Sequence, residues 1–117
     1  MIKIIKWTKE QITPLSKLIM VDDQDLYGVY TWEHAIAQIA LFNALSYKEH
    51  CNWRLPTIEE LNWIYLEKDV VGGFASSYYW SSSEYSKYLA WVQSFNYGTQ
   101  SNNNKNDTIF VRAVRDM

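Results

Sequence analysis

One stretch, residues 51–61 with the sequence CNWRLPTIEEL, constrains the fold most, because it fixes where a helix must begin. Pro56 holds the residue before it in an extended conformation, so that no helix can continue through this point. Thr57 is a favourable N-cap, and Glu60 stands three residues later, which is the spacing of a capping box. The pattern predicts an extended segment up to Pro56 and a helix that begins directly after Thr57.

Apolar periodicity predicts a second helix upstream, which Thr31 caps and which ends near Leu45 or Tyr47. The helix after Thr57 is expected to end near Lys68, before a pair of glycines at 72 and 73. The buried stripe of the upstream helix is expected to comprise Trp32, Ile36, Ile39, Ala40, Asn43 and Ala44.

Strand patterns occupy both ends of the chain. Alternation predicts a first strand over residues 2–7 that ends near Thr13-Pro14, whereas residues 15–20 fit either a short helix or a strand. Three further strands are predicted over 78–83, 89–95 and 109–114, with a turn at residues 96–98. Two helices followed by strands indicate an α+β fold.

Composition excludes several classes of function. A net charge of −2 argues against a nucleic-acid partner, and the apolar runs are too short to cross a membrane. A single cysteine cannot form an internal disulfide. The first residues do not read as a signal peptide, so we expect a cytoplasmic protein or a phage-particle component that is exported only through a partner.

Five motifs follow one another along the chain: WRLPTIEEL at 53–61, YWSSSE at 79–84, AW at 90–91, FNYG at 95–98 and VRAVR at 111–115. Together they resemble the C-terminal domain of Legionella collagen-like adhesins, a branch of the C-type-lectin-like fold. They also resemble the variable proteins of diversity-generating retroelements, whose lectin-like domains end in a segment rich in Asn, Tyr and Ser. The resemblance covers about residues 31–115.

This resemblance implies a C-type-lectin-like fold, with two helices packed on a small mixed or antiparallel sheet. It also implies that the N- and C-terminal strands pair, which would place residues 2–7 beside 110–114. We expect one domain over residues 1–117, with a variable ligand-binding region at about 78–115.

The segment 96–108 is the most unusual part of the sequence, because almost none of its side chains is apolar. It reads either as an inert surface loop or, with Tyr85 and Tyr88 nearby, as an adaptable binding surface of Tyr, Asn and Ser. In the retroelement proteins, adenines of a template repeat are randomised, so that Asn codons become Tyr, Ser, Thr and others. The resemblance implies that the ligand-binding and variable positions are Tyr85, Ser86, Tyr88, Val92, Ser94, Tyr97, Thr99, Ser101, Asn102, Asn103, Asn106, Thr108 and Phe110. The fixed scaffold between them would be Trp80, Trp91, Gly98, Val111 and Arg112.

The sequence gives little support to a metal site or to an enzyme. The Pro-containing calcium motifs of classical lectins are absent, and His34, His50 and Cys51 do not have the spacing of a zinc site. Cys51 beside His50 is expected to be a buried structural residue instead of a nucleophile, since neighbouring extended residues point apart. The tryptophans at 53, 80 and 91 are expected in the core, and Arg112 and Arg115 are expected to pair with acidic residues such as Glu84.

We therefore expect a non-enzymatic recognition domain that binds a protein or cell-surface ligand without a metal or cofactor. The alternatives are a calcium-independent polysaccharide- or glycosaminoglycan-binding adhesin module, against which the weak net charge counts, and a Cys-dependent enzyme. The oligomeric state is not specified by these patterns.

Overall fold

The computed structural model describes the backbone of residues 2–8 and 16–18 and every atom of residues 19–117. The architecture is α+β and consistent with a C-type-lectin-like fold. The elements in chain order are β1 (Ile2–Thr8), β2 (Ser16–Asp22), α1 (Trp32–Ala44), a 3₁₀ turn (Tyr47–Glu49), β3 (Trp53–Arg54), α2 (Ile58–Leu66), α3 (Lys68–Val71), β4 (Tyr78–Glu84), β5 (Leu89–Ser94), β6 (Gln100–Asn104) and β7 (Val114–Asp116). The predicted break at Thr13-Pro14 lies outside the described residues. Within the described part of the chain, no helix has the length and apolar character that a membrane crossing requires.

The sheet that joins the chain ends has the strand order β1-β2-β7-β3. The ambiguous segment 15–20 belongs to a strand, in which Ile19 and Val21 are fully buried and Val21 pairs with Val114. The predicted direct pairing of the terminal strands is therefore corrected. They share one sheet, but the apolar strand β2 occupies the inner position between them.

The second sheet has the order β4-β5-β6 and is antiparallel throughout. The polar segment 96–108, which was predicted as a loop, contains the strand β6. The side chains of β6 do not favour a strand by themselves. The strand forms because its backbone pairs with β5, where, for example, Trp91 pairs with Asn102. The predicted strand over 109–114 is also corrected, since Ile109 and Phe110 form isolated bridges and the regular strand begins at Val114.

The capping box before α2 is confirmed. Thr57 Oγ1 accepts the Glu60 backbone N–H at 3.2 Å, and Glu60 Oε1 accepts the Thr57 N–H at 2.8 Å. The Glu60 carboxylate is fully buried and also accepts two bonds from Arg54, at 2.7 and 2.8 Å. One side chain thus fixes the start of α2 and ties it to β3.

Thr31 caps α1 as predicted, but the buried stripe differs from the prediction. Trp32, Ala35 and Ile39 face the core, whereas Ile36 is 42% exposed and Ala40 is exposed. The helix is apolar on both sides, so its periodicity does not define one inner face, and the large Trp32 ring sets which side packs. Its indole N–H donates to the Ser81 carbonyl of β4 at 2.9 Å.

Two apolar clusters form the core of the described residues. One lies between α1 and the second sheet and contains Trp32, Trp53 and Trp80; the other lies under α2. Trp91, expected in the core, is only half-buried, because it lies on the face of β5 opposite to Val92. This face leads to the candidate site.

Candidate recognition surface

The β4–β5 turn and the end of β6 form one continuous polar area, which we call the hairpin surface. It consists of residues 85–88 from the turn and Asn104, Lys105 and Asn106 from the end of β6. Tyr85 is 58% exposed and Tyr88 is 68% exposed. Large aromatic side chains with this exposure present both apolar area and a hydroxyl to an approaching molecule.

Local hydrogen bonds hold the turn itself. The backbone N–H groups of Tyr85 and Ser86 both donate to the Leu89 carbonyl, at 2.9 and 3.0 Å. The Ser86 hydroxyl accepts the N–H groups of Tyr88 and Leu89 at 3.3 and 3.2 Å. The turn is therefore ordered by its own residues before any ligand binds.

Lys105 joins the turn to the rest of the frame. Its ammonium donates to Glu84 Oε2 at 2.8 Å and to the Lys87 carbonyl at 3.1 Å. The same ammonium lies 4.4 Å from the centroid of the Trp32 ring, at the start of α1. The Lys105 backbone N–H donates to the Tyr88 carbonyl, and the Lys105 carbonyl accepts the backbone N–H of Trp32.

A shallow cavity of about 320 Å³ opens within this area. It is lined by Thr31, Glu33, Lys87, Tyr88, Asn104, Lys105 and Asn106. These side chains offer hydroxyl, amide, ammonium and carboxylate groups together with one phenol ring. Such a set suits hydrogen bonding to a polar ligand of either charge.

Trp91 and Asn102 extend the hairpin surface along the sheet. They face each other across β5 and β6, and the Tyr85 ring packs edge-on against Trp91 with centroids 5.7 Å apart. The Asn102 Oδ1 atom is buried and accepts no hydrogen bond within the described residues. Trp91 was assigned to the scaffold, yet it borders the exposed surface.

The thirteen predicted binding residues do not form one patch. Four lie in the hairpin surface, namely Tyr85, Ser86, Tyr88 and Asn106. Three lie on β6, namely Ser101, Asn102 and Asn103, and two lie in the turn at its other end, namely Tyr97 and Thr99. Two follow β6, namely Thr108 and Phe110, and two are interior, namely Val92 and Ser94. The five residues of β6 separate the two ends by about 17 Å.

Val92 and Ser94 are corrections to the prediction. Val92 is 0% exposed, because strand alternation directs it to the same side as Trp80. The Ser94 hydroxyl accepts the backbone N–H groups of Asn96 and Tyr97 at 3.2 and 3.1 Å, so it holds the turn from inside. Neither is available to a ligand.

Arg112 belongs to a buried polar network that shares no residue with the hairpin surface. Its Nε donates to Asp25 Oδ1 at 2.8 Å, and its other nitrogens donate to the carbonyls of Asp22, Gly72 and Gly73. The expectation that Arg112 pairs with an acidic residue is confirmed, but the partner is Asp25, and Glu84, the example given, pairs with Lys105.

Asp25 and Tyr79 complete this network. Burial raises the pKa of Asp25, although hydrogen bonds from Tyr79 and Arg112 oppose the shift. Burial and the hydrogen bond to Asp25 at 2.6 Å raise the pKa of Tyr79 above its ordinary value. We call Asp25, Tyr79 and Arg112 the Arg112 cluster.

Cys51 is exposed, which corrects the expectation that it is a buried structural residue. It precedes β3 on the surface, while the neighbouring His50 ring packs edge-on toward Trp53 at 6.4 Å. No group of three or more His, Cys, Asp or Glu that could hold a metal ion occurs in residues 19–117.

Asn104 and Lys105 belong to the polar segment 96–108 that the sequence singled out, but neither they nor Lys87 were among the predicted binding residues. Their positions became clear only from the pairing of β5 with β6, which places Leu89 opposite Asn104. The one available signal was Lys105, the single charged residue within the run of Asn residues at 102–106.

Comparison with known proteins points to one family. No curated protein matches the chain. The family model described as the Lcl C-terminal domain matches residues 4–115, which is nearly the entire sequence. The chain therefore belongs to the Lcl C-terminal domain family, and this membership indicates an adhesin-like binding module.

Proposed function

We propose that the protein is a non-enzymatic recognition domain that binds a protein or cell-surface ligand through the hairpin surface, without a metal. One observation carries the proposal: Tyr85 and Tyr88 are both largely exposed on a turn whose backbone is already fixed. A fixed turn reduces the entropy that binding must otherwise remove, so exposed tyrosines on it contribute more of their contact energy.

The surroundings support binding over catalysis. The turn is fixed through Ser86 and Lys105, whose polar groups already bond to backbone and to Glu84. The acidic-polysaccharide alternative draws less support for the same reason, because the Lys105 ammonium is already paired with a carboxylate.

We further propose that the exposed members of this surface are diversified by a retroelement. Their side chains reach solvent, so their replacement leaves the core unchanged. The DNA beside the gene tests this idea directly. A near-copy of the stretch that encodes residues 78–115, differing only at adenines, and a neighbouring reverse-transcriptase gene are expected. A copy that differs at other bases, or no copy, contradicts diversification without touching the recognition proposal.

Two display libraries of equal size test recognition. The first randomises Tyr85, Lys87, Tyr88, Asn104 and Asn106 and keeps Ser86, whose hydroxyl holds the turn, and the control library randomises the exposed residues Glu59, Leu66, Glu67, Asp69 and Val70. Both are selected on one panel of purified proteins, with display level as the measure of folding. Binders are expected mainly from the first library, and equal yields from both would contradict the proposal.

Alkylation of the exposed Cys51 thiol separates recognition from the Cys-dependent enzyme. Binding of a selected target by an alkylated variant is expected to match that of the untreated variant. An activity that disappears on alkylation would support the enzyme instead.

A further inference from the structure

The strand β6 forms one edge of the second sheet among the described residues. The N–H of Ser94 donates to the Thr99 carbonyl, and the N–H of Lys105 donates to the Tyr88 carbonyl. Hydrogen-bonded pairs alternate in an antiparallel ladder, so Ser101 and Asn103 point their backbone groups at β5. Gln100, Asn102 and Asn104 consequently point their backbone N–H and C=O groups away from β5, and the Asn104 carbonyl already accepts the Asp107 N–H at 3.0 Å in the turn that follows.

This edge lacks the features by which sheets avoid pairing with other chains. Residues 100–104 read QSNNN, without a charge or a proline, and their register with β5 shows no bulge. Edge strands in monomeric proteins usually carry a lysine, a proline or a bulge for protection. A neutral, regular edge is suited to accept another strand.

The edge is also complementary to itself. Its three outward-facing positions, Gln100, Asn102 and Asn104, are centred on Asn102. A second β6 laid antiparallel would therefore place Asn102 opposite Asn102 and Gln100 opposite Asn104. Asparagine and glutamine carboxamides each carry both a donor and an acceptor, so the like side chains that this register places opposite one another can hydrogen-bond.

We propose that two copies of the chain associate through β6, antiparallel about a two-fold axis at Asn102, to form a continuous six-stranded sheet. The partner in this contact is a second copy of the same protein. The geometry places the turn with the partner's Tyr97 and the partner's Thr99 beside the end of β6 in the first copy. Residues that lie about 17 Å apart in one copy would then lie near each other across the contact.

Single-cysteine crosslinking tests the register of this contact. In a Cys51→Ser background, Asn102→Cys is expected to form a disulfide-linked dimer under mild oxidation, because directly opposed residues lie about 5.5 Å apart at Cα. Asn104→Cys is the matched control. Its symmetry mate would lie four residues further along, at about 13 Å, too far for a disulfide. Equal crosslinking of both, or of neither, would overturn the register.

Sedimentation velocity over a wide concentration range tests the contact without cysteines. The unchanged chain is expected to dimerise, and Asn102→Lys is expected to raise the dimer Kd by roughly tenfold or more, because it opposes two like charges. Asn102→Pro removes only an outward N–H and is expected to weaken the dimer while β5 and β6 stay paired. Val70→Lys adds the same charge at an exposed position on α3, outside the second sheet, and serves as the control.

Circular dichroism and thermal unfolding establish that each variant is folded before association is compared. A chain that stays monomeric at every concentration would overturn the proposal. So would a dimer that persists unchanged in Asn102→Lys and Asn102→Pro, since its contact would then lie elsewhere, for example on the exposed apolar side of α1 around Ile36.

Discussion

The Arg112 cluster and the hairpin surface use similar polar groups in opposite ways. In the cluster, Arg112 is fully buried and reaches one carboxylate and three backbone carbonyls. In the hairpin surface, Tyr85 and Tyr88 leave most of their area in water. A polar group that is buried and fully hydrogen-bonded cannot be replaced without destabilising the fold, whereas an exposed polar group can be replaced at little cost. The comparison predicts steep stability losses in one region and small losses in the other.

Arg112→Met is expected to have the largest effect. It removes the Arg112 donor from three carbonyls and from the Asp25 carboxylate, which keeps only its bond from Tyr79 among those described above, and we expect a loss of about 5 kcal/mol in the free energy of unfolding. Urea unfolding measures this loss. Arg115→Met is the matched control on the same end of the chain, because Arg115 is only half-buried, and a similar loss in both variants would contradict the distinction.

Glu60→Ala is expected to be next in size. It removes half of the capping box and the two carboxylate oxygens that accept from Arg54, which keeps its bonds to the Leu55 carbonyl and to Asp116, at a cost of about 3 kcal/mol. Glu59→Ala in the same helical turn is exposed and should change the unfolding free energy by about 0.5 kcal/mol at most. Equal midpoints for the two variants in denaturant would show that Glu60 does not hold α2 to β3.

Tyr79→Phe is expected to cost about 1–2 kcal/mol at neutral pH, because Asp25 and the Ala75 N–H lose a partner. Its pH dependence is more telling. The raised pKa of Tyr79 favours the neutral phenol in the folded state, so this stabilisation is present below about pH 10 and is lost as the pH rises through the folded pKa.

Unfolding measured from neutral to strongly alkaline pH should therefore show a smaller decline in Tyr79→Phe than in the unchanged chain. Tyr85→Phe, at an exposed tyrosine, should retain the full decline. Identical pH profiles for all three proteins would show that the buried Tyr79 phenol does not contribute to the pH dependence of stability.

Tyr88→Ala is expected to have the smallest effect on stability, about 0.5 kcal/mol or less, since the side chain is mostly in water. Binding to a ligand selected on the hairpin surface is expected to fall by roughly tenfold or more, as for a tyrosine anchor at an interface. Tyr97→Ala, in the distant turn, provides the comparison in titrations at low protein concentration. An equal loss of affinity in Tyr97→Ala would show that the binding surface also includes the distant turn.

The sequence predicted local features well. Thr31 and Thr57 were identified as helix caps because the residues that they bond lie three positions away. The strands β4 and β5 were recognised from their apolar and aromatic content. Such signals depend on neighbours in the chain.

Features that depend on distant partners were missed. The Asp25–Arg112 pair joins residues 87 positions apart, and nothing local distinguishes Asp25 from the acidic residues around it. The strand β6 has a poor strand sequence and exists because β5 pairs with it. For the same reason, the exposed side of Trp91 could not be separated from the core tryptophans before the register was known.

A saturation scan scored by resistance to proteolysis on a display surface tests the central claim most directly. Every substitution would be made at Asp25, Tyr79 and Arg112 and, in parallel, at Tyr85, Tyr88 and Asn106. We expect nearly all changes in the first set to abolish resistance and most changes in the second set, proline aside, to retain it. Comparable tolerance in the two sets would contradict a fixed frame that presents a freely variable hairpin surface.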